Sequence, residues 1–458
     1  MANGGRSGRQ NGRRERFEAP VELPPGLAAR LAAATIVADV VNLGTPLDER
    51  FGPDVAPGRF ADLDLRDRAL ARSIATVSLR RLGTLRAALA RLMEHSLPKK
   101  AAALEWILVT GAAQILFMDV PDHAAVDLAV RATRHDPKTA GFAALVNAVL
   151  RNVARERDTL GGEDDAFLDT PSWLAQRWQK IYGETVARGI AAAHRLEPPL
   201  DLSVKSDPEG WAERLDGIVL PTGSVRLKNH APVVELPGYR DGQWWVQDAA
   251  AALPVALLGV RSGERIADLC AAPGGKTAQL ARLGAAVVAI DRSAERLKRL
   301  SVNLARLGLA AEIGVGDVLS LQAGPFDGVL LDAPCTATGT IRRHPDVAWT
   351  KRAGDIATLA ALQAKMLDRA IGLLRPGGRL VYCTCSLEPE EGEAQIAALL
   401  RRNPDVMRSS VAADEIFGLD ACLTPMGELR TLPIHLPDPN PRLAGLGAFF
   451  AARLVRRV

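Results

Sequence analysis

From about residue 255 the sequence alternates short apolar runs with longer runs of helical period, and that order leaves few folds open. Arg265–Leu269, Ala286–Ile290, Ala311–Val315, Phe326–Leu331 and Arg379–Thr384 read as strands. Lys276–Leu283, Ala294–Leu307, Asp355–Leu374 and Glu390–Arg402 read as helices. Alternation of this kind predicts an α/β Rossmann-like domain, a parallel sheet with helices on both faces. Such sheets bind ligands beyond the carboxyl ends of their strands, so chemistry is sought there.

Unusual residues stand at those ends. After the first strand come Asp268 and the loop Cys270, Ala271, Ala272, Pro273, Gly274, Gly275 and Lys276, then Thr277. Gly274 and Gly275 allow close backbone approach to a ligand, and the helix N-terminus that follows favours an anionic group. The Gly-to-Lys spacing is not that of a Walker loop, nor is the run G-x-G-x-x-G. The second strand ends in Asp291, placed either to accept from ribose hydroxyls or to cap the next helix. Asp317 follows the third strand, where an acid can meet an adenine amino group. The fourth strand runs into Asp332 and Cys335, and the fifth into Thr384, Cys385 and Ser386. Alternation puts Cys383 and Cys385 on one face, with Cys385 nearer the ligand end. A single cysteine there can be packing, whereas two at ligand-facing strand ends point to covalent catalysis. No C-x-x-C or H-E-x-x-H spacing marks a zinc site, so no metal is expected.

Residues 27–158 carry helical periodicity alone: Leu27–Val41, Arg66–Leu82, Leu85–Met93, Lys100–Phe117, Ala124–Thr133 and Ala140–Arg157. Gly44 and Pro46, Pro53 and Pro57, Pro98, Pro121 and Pro137 separate them. An all-α domain over 27–160 follows, whose Asp67, Arg68, Asn147 and Arg151 either touch RNA or form a solvated face. Leu160–Asp165 reads as a linker. Residues 166–250 mix helices (Pro171–Tyr182, Glu184–His194, Gly210–Leu215) with strands (Leu200–Val204, Ser224–Leu227, Trp244–Gln247), a small α+β module. Trp244 and Trp245 either stack on bases or, the favoured reading, are buried core. The α/β domain is expected to span 251–458.

In all, 57 basic residues stand against 53 acidic, a net charge of +4. Five arginines (Arg6, Arg9, Arg13, Arg14, Arg16) and the lone acid Glu15 give that whole excess to the first sixteen residues. Residues 1–26 read as a disordered basic tail, either a dispensable end or a nonspecific phosphate-binding arm. Charges in the remainder balance, so an RNA-binding face must come from local clustering. Five cysteines without an export signal read as reduced thiols, and no apolar run reaches the roughly 20 residues of a membrane helix. A cytoplasmic protein without membrane contact is expected.

These motifs resemble the bacterial RNA cytosine-5 methyltransferases of the Sun/Fmu (RsmB) family, kin to the eukaryotic NOP2/Sun proteins. The resemblance rests on Asp268–Thr277, Asp291, Asp317, Asp332–Cys335, the run Thr338–Asp346 and Thr384–Ser386. The helical half resembles NusB, an RNA-binding antitermination factor that this family carries fused at its N-terminus. The middle module looks like the family's small RNA-binding domain. The fold implied is therefore NusB-like helices, a small α+β module and a class I methyltransferase domain.

The cofactor implied is S-adenosylmethionine, cradled by Cys270–Lys276, with Asp291 on its ribose, Asp317 by its adenine and Asp332 beside it. The resemblance makes Cys385 the nucleophile toward cytosine carbon 6 and Cys335 the residue assisting release. Asp332, protonated or sharing a proton, would stabilise charge at cytosine N3. The implied partner is 16S rRNA, in an unassembled or partly assembled small subunit, met by a monomer. Arg342, Arg343 and Lys351 are expected either on phosphates or, one by one, as plain surface charges. Where the family usually shows Asp-Gly-Phe-Phe this chain has Gly447-Ala448-Phe449-Phe450, so that Asp is missing. Transfer RNA as substrate, a DNA cytosine methyltransferase and a noncatalytic RNA-binding assembly factor are the alternatives. A DNA enzyme would lack Thr384–Ser386 and the helical half, and intact cysteines argue against a noncatalytic factor.

Overall fold

A computed structural model of the chain describes residues 23–51, 63–161, 165–229 and 231–458. The basic tail before Leu23, the breakers Pro53 and Pro57, and Gly162 of the expected linker lie outside the described residues.

Helices α1 (Leu27–Leu43), α2 (Leu65–Arg80), α3 (Leu82–Leu92), α4 (Ala103–Phe117), α5 (Asp122–His135), α6 (Ala143–Arg155) and the single turn α7 (Arg157–Leu160) form the all-α unit. Helix α4 buries residues on every side, among them Leu104, Trp106, Leu108, Val109 and Ile115, and so runs through the centre. A helix without a polar face belongs inside, and the amphipathic helices α5 and α6 lay their apolar sides on it. Leu160, expected in a linker, is fully buried at the end of α7.

Helices α8 (Ser172–Tyr182) and α9 (Glu184–His194) follow. Their Leu174, Trp178, Ala187 and Ile190 share a core with Ile341 and Leu387 of the C-terminal region. The chain then forms β1 (Asp201–Val204), α10 (Pro208–Arg214), β2 (Gly217–Val219), β3 (Val225–Leu227) and β4 (Trp244–Val246). These strands make an antiparallel sheet in the order β2-β3-β1-β4. Trp244 and Trp245 are buried, as expected, in two different cores.

The C-terminal unit opens with α11 (Ala249–Leu258), β5 (Arg265–Leu269), α12 (Gly275–Arg282), β6 (Ala286–Asp291), α13 (Ala294–Leu307), β7 (Glu312–Val315) and β8 (Phe326–Asp332). It continues through α14 (Val347–Thr350), α15 (Ala353–Gly372), β9 (Leu374–Thr384), α16 (Glu393–Arg402), β10 (Val406–Arg408), β11 (Leu429–Thr431) and β12 (Phe449–Arg456). The sheet order is β10-β12-β9-β8-β5-β6-β7, with β11 also on β12. Strands β5 to β9 are parallel, as the alternation predicts. Strands β10, β11 and β12 pair antiparallel, so the sheet is mixed rather than wholly parallel. An antiparallel strand needs no crossover helix, and none precedes β12. Separate apolar cores lie on the two faces of this sheet. Among the described residues no helix is long and apolar enough to cross a membrane.

The helical unit docks on the segment that follows β8. Leu47 N donates to Asp346 Oδ2 (3.0 Å) and Trp349 Nε1 to Leu79 O (2.8 Å).

Candidate active site

Strands β8 and β9 are parallel neighbours, with Asp332 opposite Cys383. The backbone pairing continues one step further, Ala333 N donating to Cys383 O at 3.0 Å. Two residues beyond each partner the chain reaches Cys335 and Cys385, whose sulfurs lie 3.5 Å apart. Adjacent strand ends thus deliver both thiols to one point. Behind them Gly339 N donates to Cys385 O (3.0 Å). A side chain at 339 would meet Ala448 O at 2.1 Å, so glycine is needed where this turn passes the segment before β12.

The five cysteines are not equivalent. Burial pushes the Cys270 thiol up to about 12 and the Cys422 thiol up to about 11, which leaves both inert as nucleophiles. Cys383 is fully buried, donates to Asp332 Oδ1 (3.5 Å) and is likewise held well above the ordinary thiol range by burial. The Cys335 thiol is raised first by its hydrogen bond to Cys385, then by burial and by the nearby Glu391. The two sulfurs are thus close enough to share one proton.

Lys276 reaches from the first turn of α12 to the end of β8, its Nζ donating to Asp332 Oδ2 at 2.8 Å. Burial works against its charge, but Asp332 outweighs it and raises the ammonium pKa. The ammonium also stands over the Phe449 ring, 5.1 Å from its centre. The sequence places Lys276 only in the cofactor loop. Its side chain instead joins Asp332 beside the thiols, a link that spacing along the chain does not reveal.

The loop Cys270–Lys276 crosses the carboxyl ends of β5 and β6. Asp291 is buried, its Oδ2 accepting from Ala272 N (3.2 Å) and its Oδ1 from Ser293 N (2.9 Å). Helix α13 is capped by Ser293 Oγ, not by Asp291. Asp317 is exposed and its Oδ1 accepts from Leu319 N (2.9 Å), capping a short 3-10 turn. Gly274 has φ +102°, and a side chain there would strike Leu300 at 2.7 Å. Backbone conformation and packing alone thus require that glycine.

S-adenosylmethionine fits these residues. No side chain caps the start of α12, which leaves its first N–H groups for an anionic ligand. Buried Asp268 keeps Oδ1 without a partner while its Oδ2 accepts from Thr277 Oγ1 (2.6 Å). Acids at three successive strand ends supply acceptors for amino and hydroxyl groups.

Burial pushes the Asp268 carboxyl up to about 7. A folded-state value above the unfolded one (about 4) means that this group's stabilisation is complete below pH 4 and is lost as pH rises through 7. Asp268→Asn is therefore expected to raise the thermal midpoint at pH 8 and to flatten its fall between pH 5 and 8. The difference at pH 8 is on the order of a few kcal/mol. Parallel melting curves of both proteins across that range would contradict the assignment.

Three arginine and lysine expectations divide. Arg342 is buried, its Nη1 donating to Ala444 O (2.8 Å), and burial lowers its pKa to about 10. Arg343 donates to Asp248 Oδ2 (2.8 Å) and Pro199 O (3.1 Å). Arg343 therefore ties the C-terminal unit to the small module, Arg342 braces the segment before β12, and both are engaged within the protein. Lys351 is only partly buried. Asn147 and Arg151 line a groove between α5 and α6 with His123 and Arg134. At the altered Gly447, Asp248 Oδ1 accepts from the backbone N–H (3.3 Å) and would lie 2.9 Å from an added Cβ. An acidic side chain at 447 would thus crowd a carboxylate already present.

Residues 255–454 match the model of the family described as 16S rRNA methyltransferase RsmB/F, and residues 27–155 match that of the NusB family. The ribosomal RNA small subunit methyltransferase B of Salmonella arizonae is 39% identical over 409 residues, 84% of this chain and 93% of its own. The solved structure of PH0851 covers 95% of this chain and 99% of its own with a TM-score of 0.69 at 21% identity, a likeness of fold. A methyltransferase homolog from Pyrococcus horikoshii is 28% identical, with a TM-score of 0.53 over 64% of this chain and 98% of its own.

Proposed function

The chain belongs to the RsmB/F family of 16S rRNA methyltransferases, and from that premise we propose that it methylates carbon 5 of a cytosine in 16S rRNA through a transient cysteine adduct. The observation that carries this reading is the pair of thiols 3.5 Å apart beside the Asp332–Lys276 ion pair.

Carbon 5 of cytosine is a weak nucleophile. Addition of the Cys385 thiolate to carbon 6 turns carbon 5 into an enamine-like nucleophile. Negative charge then develops toward N3. The sequence assigns its stabilisation to a proton on Asp332, and the Lys276 ammonium on that carboxylate makes the pair the donor. Bound S-adenosylmethionine supplies an electrophilic methyl group.

Release needs a base for the carbon 5 proton. Bonding to carbon removes the charge on Cys385, and with it the largest influence that keeps Cys335 protonated. Cys335 can then lose its proton to solvent and, as thiolate, take the carbon 5 proton; the C5–H electron pair re-forms the C5=C6 double bond and Cys385 leaves carbon 6 as thiolate. The target base must be single-stranded or flipped out of a helix to reach the thiols. The helical unit and small module serve RNA binding in this account. The cytoplasm, a monomer and an incompletely assembled small subunit as substrate complete it.

Bisulfite sequencing of ribosomal and transfer RNA from a strain lacking the gene tests the substrate. Loss of one 5-methylcytosine in 16S rRNA, restored by the wild-type gene, is expected. Loss in transfer RNA instead, or no loss, would contradict the assignment.

A further inference from the structure

One fully buried carboxylate stands behind the two thiols and belongs to neither strand. Glu391 ends the short 3-10 turn Pro389–Glu391 after β9, and its side chain is sealed from solvent. Its Oε1 accepts from Thr336 N (2.9 Å) and Gln363 Nε2 (3.1 Å). Its Oε2 accepts from Thr336 Oγ1 (2.5 Å) and Ser386 Oγ (2.6 Å). Thr336 follows Cys335 and Ser386 follows Cys385, so a single carboxylate grips the residue after each thiol.

We propose that Glu391 is a positioning residue for the thiol pair, tying the turn that carries Cys335 to the turn that carries Cys385 and so setting the separation and orientation of the two sulfurs. The reading rests on the cysteine chemistry proposed above.

Three features favour it. Every contact to the carboxylate is a donor, and an ionised carboxylate is the one side-chain group of this size that only accepts. The anchor itself is fixed: Glu391 O accepts from Tyr382 Oη (2.8 Å) and Thr384 Oγ1 (3.1 Å), both on β9. Gln363 completes the frame from α15, since its Nε2 also donates to Pro334 O (2.9 Å), one residue before Cys335. Glu391 and Gln363 together thus hold the Cys335 turn on both sides of the cysteine, and Glu391 makes no hydrogen bond to either sulfur.

Glu391→Gln keeps the shape but turns one acceptor into a donor that faces donors. One turn must then move, and a displacement near 1 Å at reacting atoms can cost about a hundredfold in rate. The test uses full-length enzyme, S-adenosylmethionine and 16S rRNA transcribed with 5-fluorocytosine. Fluorine at carbon 5 cannot leave as a proton does, so the adduct persists and its formation can be timed. A positioning role predicts that E391Q forms adduct about tenfold or more slowly, to the wild-type amplitude, with KM for unmodified RNA little changed. Thr336→Val and Ser386→Ala each cut one end of the bridge. Each is expected to slow adduct formation several-fold, and S386A to add little on top of E391Q. Wild-type rates in T336V and S386A, or a reduced amplitude at wild-type rate in E391Q, would overturn the inference and leave Glu391 a folding residue. Absence of any adduct with the wild-type enzyme would instead overturn the covalent mechanism, so the two failures are distinguishable.

Discussion

Cys385→Ala is expected to lower methyl transfer roughly 10,000-fold, whereas Cys335→Ala is expected to halt after the first turnover with RNA covalently attached. The contrast follows from the unequal sharing of one proton. The two sulfurs lie 3.5 Å apart and contact with Cys385 holds the Cys335 thiol above its ordinary range, so the proposal gives the attack to Cys385. Without Cys335 the attack still proceeds, but no base takes the carbon 5 proton and the adduct cannot collapse. Denaturing gels of both variants with 16S rRNA and S-adenosylmethionine separate the roles. A retarded band with C385A and none with C335A would exchange them.

Asp332→Asn is the second large effect, expected near a hundredfold loss in kcat with RNA binding nearly intact. The carboxylate holds the Lys276 ammonium at 2.8 Å in a site where Lys276 is almost sealed from solvent. Removing one member of a buried ion pair leaves the other uncompensated, so Lys276 would shift or lose its proton. Either change removes the donor needed when charge develops on the cytosine ring. Steady-state kinetics against RNA concentration decide the matter: a raised KM with unchanged kcat would make Asp332 a binding group only.

Local pattern carried much of this fold. Arg265–Leu269, Glu184–His194 and Ala294–Leu307 occur with the limits their periodicity predicts, because each is set by a repeating apolar face and a clear breaker. What escaped was non-local. Helix α11 (Ala249–Leu258) is apolar all round and contains Pro254, so it shows no helical face to the eye, yet it is buried beside the sheet. Strand β12 (Phe449–Arg456) follows no helix and enters between β9 and β10 against the alternating pattern.

The site divides in the same way. Cys335, Cys385, Asp332 and the loop Cys270–Lys276 were legible because strand ends are where such sheets work. Arg342 and Arg343 read as phosphate contacts or surface charges, since their surroundings come from distant chain: Ala444 for the first, Asp248 and Pro199 for the second. Glu391 carries no sequence signal at all, because its significance arises only where two loops separated by fifty residues meet.

The central claim is that Cys385 bonds to the pyrimidine ring. Its most direct test is proteolysis and mass mapping of the complex that the wild-type enzyme forms on 5-fluorocytosine RNA. The account predicts a modified nucleotide on the peptide containing Cys385; the same mass on the peptide containing Cys335 would contradict it.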